Sequence, residues 1–180
     1  MKPSDDQAAE EQISALDSLD ISNIPVQDVL DRIVQDVAKT LNAPIAFLTI
    51  TDEAGKIWKS QSGLPSDLAS AVETIVHFLR SSSRKEKSTV VIEDMLIDQR
   101  FASSPLLSQK GVHFCAAEPL LNRNGKIIGL LVVLDTRSRS ISEQEAELLH
   151  KGAKAAVEAF EVRAVAPTPE ADAESVVHRT

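Results

Sequence analysis

The chain has 180 residues, 43% of them hydrophobic and 26% charged, with 27 Asp plus Glu against 19 Lys plus Arg and a formal charge of −8. That length and apolar content support one domain with tails, and the acidic balance repels a phosphate backbone, so nucleic acid is not an expected partner. Five Phe, one Trp and no Tyr argue against an aromatic cage or a base-stacking platform, and a single Cys excludes an internal disulfide framework or a multi-thiolate zinc site.

The opening MKPSDDQAAEEQ is acidic and lacks an apolar stretch, so it does not read as a signal peptide. Residues 1–11 are expected to be a disordered acidic N-terminus, 12–163 the folded domain and 164–180 a disordered tail. A short amphipathic piece is expected at Ile13 to Leu19. Helix one follows at Val26 to Leu41, where Val29, Leu30, Ile33, Val37 and Leu41 form one apolar stripe behind Pro25. Pro44 stops it. Ile45 to Thr51, a turn at Asp52 to Gly55 and a strand at Lys56 to Ser60 then read as a hairpin.

After Gly63 and Pro65, the spacing of Leu68, Val72, Ile75, Val76 and Leu79 predicts a second helix over Asp67 to Arg80, with Ser66 as its cap. The tract Ser81 to Lys87 reads as a solvated loop, Thr89 to Glu93 as a short strand, and Asp94 to Lys110 as an irregular cover. Val112 to Leu121 and Lys126 to Asp135 are strands joined through Asn122-Arg123-Asn124-Gly125, and IIGLLVVL is apolar on both faces, as a central strand is. Ser142 with Glu145 makes a capping box for a last helix reaching about Val162, whose buried stripe is Leu149, Ala153, Ala156 and Phe160. Hairpins outnumber crossovers in this order, so the expected class is α+β: a mainly antiparallel sheet of five or six strands with helices on both faces, three layers in all. The longest apolar run, Ile127 to Leu134, is too short to span a bilayer, so no membrane partner and a cytoplasmic location are expected.

Several pieces in this order, NAPIAFLTITDEAGKIWKSQSGL, VVIEDMLIDQRFASSPLL and GVHFCAAEPLLNRNGKIIGLLVVLDTRSRSISEQEAELL, resemble the GAF domain, a small-molecule sensing module of signalling proteins. The resemblance runs from about Asp17 to Glu161 and implies a GAF/PAS-like fold, binding of a small ligand, output through terminal helices and, in a bacterial setting, a signalling partner. Two family features are missing. Thr74 to Phe78 lacks the Phe-Cys-x-His stretch of one subgroup, and the Asn-Lys-Phe-Asp-Glu signature of cyclic-nucleotide binders is not found. Free methionine sulfoxide reductases have a similar fold, but their cycle needs more than one thiol, and Cys115 stands alone.

Each candidate ligand residue also has a plain structural reading. Cys115 is a small buried hydrophobe or a ligand-contacting thiol; His113, on its strand face, and His77, on the second helix, are ordinary polar partners or ligand contacts. Asp98, Arg100 and Phe101 form a compact motif in which Arg100 either pairs with a carboxylate such as Asp94 or meets an anion, while Phe101 plugs the core. Trp58 either walls a cavity or covers the sheet, and Phe47 and Thr49 share one strand face whose direction periodicity leaves open. Bilin attachment by Cys115 lacks its usual aromatic surroundings in this tyrosine-free chain, and haem on His77 or His113 is only a minor alternative, so the cofactor is left unknown. Paired carboxylates, a Gly-rich phosphate loop and a Ser-His-Asp arrangement are all lacking, so a non-catalytic sensor is the first reading. A ligand-free interaction or dimerisation module is the alternative. Gly152, Ala155, Ala156 and Ala159 on the last helix would permit close approach of a second copy, so a homodimer is expected.

Overall fold

Proline at residue 25 sets the first turn. In the computed structural model, which describes residues 25–52, 55, 57–101 and 110–165, Pro25 precedes helix α1 (Val26–Thr40), whose backbone it enters without a side-chain cap. The tails and the Ile13 to Leu19 segment lie outside the described residues, as do residues 102–109 of the expected cover. Helix α1 ends in a left-handed residue rather than at Pro44: Asn42 has φ 49°, and the Ala43 N–H returns to the Ala38 carbonyl at 2.9 Å. With the Asn42 N–H also returning to the Lys39 carbonyl at 3.2 Å, this stop satisfies orphan carbonyls that a bare helix end would leave.

Strands β1 (Ile45–Thr51) and β2 (Ile57–Ser62) form the expected hairpin, with β2 running two residues past the end of its sequence pattern. A short 3₁₀ turn (Ser66–Leu68) leads into α2 (Ala69–Glu86), which continues through the tract expected as a solvated loop. A run of Ser, Arg, Lys and Glu carries no apolar period, yet nothing in it breaks a helix, and the stop comes at Lys87, with φ 51°. Strands β3 (Val90–Ile92), β4 (Phe114–Leu121) and β5 (Ile127–Asp135) follow, then α3 (Glu143–Val165). The capping box is present: the Glu145 N–H donates to Ser142 Oγ at 3.1 Å and the Ser142 N–H to Glu145 Oε2 at 2.8 Å.

All strand pairs are antiparallel, in the order β2-β1-β5-β4-β3. Strand β5 is thus central, as its continuous apolar run demands. Pro119 is tolerated inside β4 because β3 pairs only with Cys115 to Ala117, so beyond Ala117 one side of β4 is an edge. At the β4–β5 turn, Asn122 Oδ1 accepts from the Asn124 and Lys126 N–H groups and Gly125 takes φ 73°.

The alternation of side chains splits the interior in two. Ala46, Leu48 and Ile50 of β1 point with Ala116, Leu131 and Val133 into a core under α1 and α3. Ile45 and Phe47 point with Cys115, Leu130, Val132 and Leu134 into a second core under α2. Burying each such Leu, Ile or Val contributes about 1.5–3 kcal/mol, so both faces are strongly committed and the register is fixed. The small residues of α3 serve the first core. Gly152, Ala156 and Ala159 are buried within the chain, and a Cβ on Gly152 would come within 2.9 Å of Val37 Cγ2.

A buried ionic node holds the helix-side core closed at one end. Asp135, 1% exposed, receives Arg139 Nη1 at 3.4 Å, and the same guanidinium donates to the Leu41 carbonyl at 2.9 Å and Glu145 Oε1 at 2.6 Å. One arginine thus ties the end of β5 to the end of α1 and the start of α3.

Candidate functional site

The filled core under α2 leaves a gap at the outer edge of the sheet. There α2 passes over the β1–β2 hairpin and encloses a cavity of about 350 Å³. Register explains which residues face it. Thr49 pairs with Lys59 and Phe47 with Gln61, so all four share the α2 side of the sheet. From the helix come Val72, Val76 and Arg80, one turn apart, with Glu73 and His77 on the adjoining row.

The walls differ in chemistry. Phe47 and Val72 are buried and Val76 and Leu64 half-buried, giving an apolar floor. The rim is charged: Lys59 and Glu73, with 65% and 76% exposed side chains, stand 3.9 Å apart across the opening. Such an exposed pair contributes little stability. His77, exposed, and Arg80, half-buried, complete the rim, and Arg80 Nη2 donates to the Thr51 hydroxyl at 3.1 Å. The Thr49 hydroxyl in the same wall is buried with no hydrogen-bond partner, a condition that costs about 1–3 kcal/mol until a partner arrives.

Of the residues singled out from sequence, the structure gathers Phe47, Thr49 and His77 at this cavity and places the others elsewhere. Trp58 lies on the opposite face. It pairs with Ile50 in the ladder, so its ring joins the helix-side core and meets Phe160 edge-on at 6.2 Å. Cys115 is fully buried beneath α2, where burial pushes its thiol up to about 12. His113 precedes β4, half-buried, its N–H donating to the Asp135 carbonyl.

Asp94 Oδ1 accepts the Leu96 N–H at 3.0 Å and makes a local turn. The ion pair of Arg100 is with Asp98 instead, at 2.6 Å and 2.9 Å, which holds the Asp98 carboxyl below its usual range. The Arg100 guanidinium also lies 5.2 Å from the centre of the Phe78 ring, while Phe101 is buried in the core beside it. The motif is therefore locally satisfied, and residues 98–101 do not line the cavity.

Lys59, Gln61, Glu73 and Arg80 are cavity residues that the sequence reading passed over. For Arg80 a signal exists: it falls four residues after Val76 on the stripe that carries Val72, a charge on the apolar face of an amphipathic helix. A second polar cluster was also missed. Glu118, 4% exposed on β4, accepts from the Thr89 hydroxyl and contacts His150 Nδ1 of α3 at 2.7 Å. Among the described residues no group of three or more His, Cys, Asp or Glu is placed to hold a metal ion, and no helix is long and apolar enough to cross a membrane.

A family model, the GAF domain, matches residues 25–159. Among solved structures, the GAF domain of an Acinetobacter phosphoenolpyruvate-protein phosphotransferase superposes with a TM-score of 0.67 at 19% identity, covering 93% of this chain and 99% of the other. The corresponding domain from Coxiella burnetii gives 0.65 at 19% identity, covering 89% and 95%. A domain of a putative two-component sensor histidine kinase from Sinorhizobium meliloti gives 0.61 at 18% identity, covering 78% and 94%. No curated protein matches the chain. At these identities the structural likeness is one of fold.

Proposed function

The chain belongs to the GAF domain family, generally sensory and regulatory modules, and from that premise we propose that it is a non-catalytic sensor taking a small molecule between β1, β2 and α2. The cavity of about 350 Å³ carries this reading, at the small end of the range for ligand pockets. An apolar floor with a few polar groups around it is the composition such sites have.

The route from cavity to output is short. Lys59 presents its side chain to the cavity while its carbonyl accepts Gln27 Nε2 of α1 at 2.9 Å, and Ser60 Oγ donates to Asp31 of α1 at 2.5 Å. A ligand that shifts β2 therefore pulls on α1, and α1 packs on α3. Pairing of two copies through these helices, a signalling protein that reads the change and a cytoplasmic setting belong to the same proposal. Half-buried Ala155 and exposed Val162 on α3 support a helix-mediated contact.

A thermal-shift survey of metabolites tests the reading, run on the parent chain and on Val76→Trp, which fills the cavity. Stabilisation of the parent that the variant loses supports it. Stabilisation that persists in the variant, or none by any compound, overturns it. One observation favours the alternative of a ligand-free interaction module: over the central strands the α2 face is already filled by the chain's own Cys115, Leu130, Val132 and Leu134.

A further inference from the structure

We infer that the cavity selects an apolar molecule bearing a single carboxylate, an inference that rests on the sensor reading above and adds the class of ligand. Arg80 carries the argument. The residue is half-buried at the cavity wall, and among the described residues its hydrogen-bond partner is the neutral Thr51 hydroxyl. Among the described residues no carboxylate pairs with it, whereas Arg100, Arg123, Arg137 and Arg139 each have one. An arginine has five N–H donors in a planar fork that matches the two oxygens of a carboxylate, and a partly desolvated cation left without an anion is a recognition element waiting for one.

The neighbours agree with an anionic head. Lys59 is the second cation at the rim, and among the described residues the exposed Glu73 is its only carboxylate, held at 3.9 Å from Lys59. His77 adds a further donor or acceptor at the mouth, and Thr49 offers its unpaired hydroxyl from the wall. Opposite these groups Phe47, Leu64, Val72 and Val76 offer only hydrocarbon, which suits an alkyl chain or a ring and gives nothing to a second charge. The chain as a whole carries a formal charge of −8, so the local cationic rim has to overcome a repulsive long-range field. Screening that field with salt leaves the contact interaction as the selective one.

Octanoate and its neutral isostere octanamide are the probes, titrated calorimetrically into the full chain at about 0.15 M salt. Octanoate is expected to bind about tenfold more tightly than octanamide, the difference one charge-assisted contact supplies. Arg80→Met is expected to erase that preference, Arg80→Lys to keep part of it, Glu73→Gln to enhance it, and Lys126→Met, a cation lost outside the cavity, to leave it unchanged. Circular dichroism of each variant establishes that the fold persists. Equal affinity for both probes, or a preference that survives Arg80→Met, overturns the inference. Failure of both probes to bind also overturns it; the sensor reading then stands if other compounds stabilise the parent and not Val76→Trp, and falls with it if none does.

Discussion

The carbonyl oxygen of Thr49 and the α-carbon of Gly129 are packed so closely across the β1–β5 ladder that a β-carbon on residue 129 would stand 1.9 Å from that oxygen. The clash is with backbone, and the oxygen belongs to the residue whose side chain faces the cavity. Gly129→Ala is therefore expected to cost at least about 3 kcal/mol, because relief requires β1 and β5 to part. Gly125→Ala, strained by its φ of 73° but with only the Lys87 ammonium nearby, is expected to cost about 1–2 kcal/mol. Urea unfolding of the two variants measures the contrast.

Cys115 is expected to be chemically silent in the folded protein. With its thiol raised to about 12 by burial, almost no thiolate exists at pH 8. Mass spectrometry after N-ethylmaleimide treatment should show labelling only once denaturant unfolds the chain. Cys115→Ala should be mildly destabilising, while Cys115→Ser, which buries a hydroxyl in an apolar core, should cost about 1–3 kcal/mol.

Two aspartates are expected to move stability with pH in opposite directions. The Arg100 guanidinium lowers the Asp98 carboxyl from its ordinary 3.8, so this pair stabilises the fold above that value and is lost as acid protonates it. Asp98→Asn should then destabilise at pH 7, by less than about 1 kcal/mol for a partly exposed pair, and converge with the parent in strong acid. For Asp36 on α1, burial raises the carboxyl above 3.8 despite the opposing pull of Arg32 and Lys39. Its ionised form is disfavoured in the fold, so stability falls as pH rises through that interval, and Asp36→Asn should gain stability at pH 7 and none in acid. Thermal unfolding across pH reads both.

Glu118 is expected to be costly to truncate and cheap to replace. Glu118→Ala leaves the Thr89 hydroxyl without its acceptor and opens a gap under α3, at about 1–3 kcal/mol. Glu118→Leu, which fills the space and removes the buried charge, should recover much of that loss. Chemical denaturation of both variants separates the two contributions.

Local signals were legible where the physics is local. The stripe of α1, the Asn-Gly turn and the Ser142–Glu145 box each reside in a few neighbouring residues, and the three-layer arrangement followed from their order. Period-two alternation put Phe47 and Thr49 on one face but could not orient it, and the pairing of Trp58 with Ile50 decides that the indole belongs to the other side. The extension of α2 through Ser81 to Glu86 was hidden because a polar helix turn has no period to read. Arg139 joins Leu41 across 98 positions, and no pattern within a window reports such a contact. The cavity rim had the same difficulty: Lys59 and Glu73 meet through tertiary packing alone.

The edge-on contact between Trp58 and Phe160 has a spectroscopic consequence. The sequence has a single tryptophan, and it sits one strand's thickness away from the cavity, against the last helix. A molecule entering beside Lys59 touches the neighbouring residue of the same strand and not the indole. Intrinsic emission should stay blind to occupancy and change only when the sheet and the last helix shift against each other, making filling and response separately observable in the unlabelled chain.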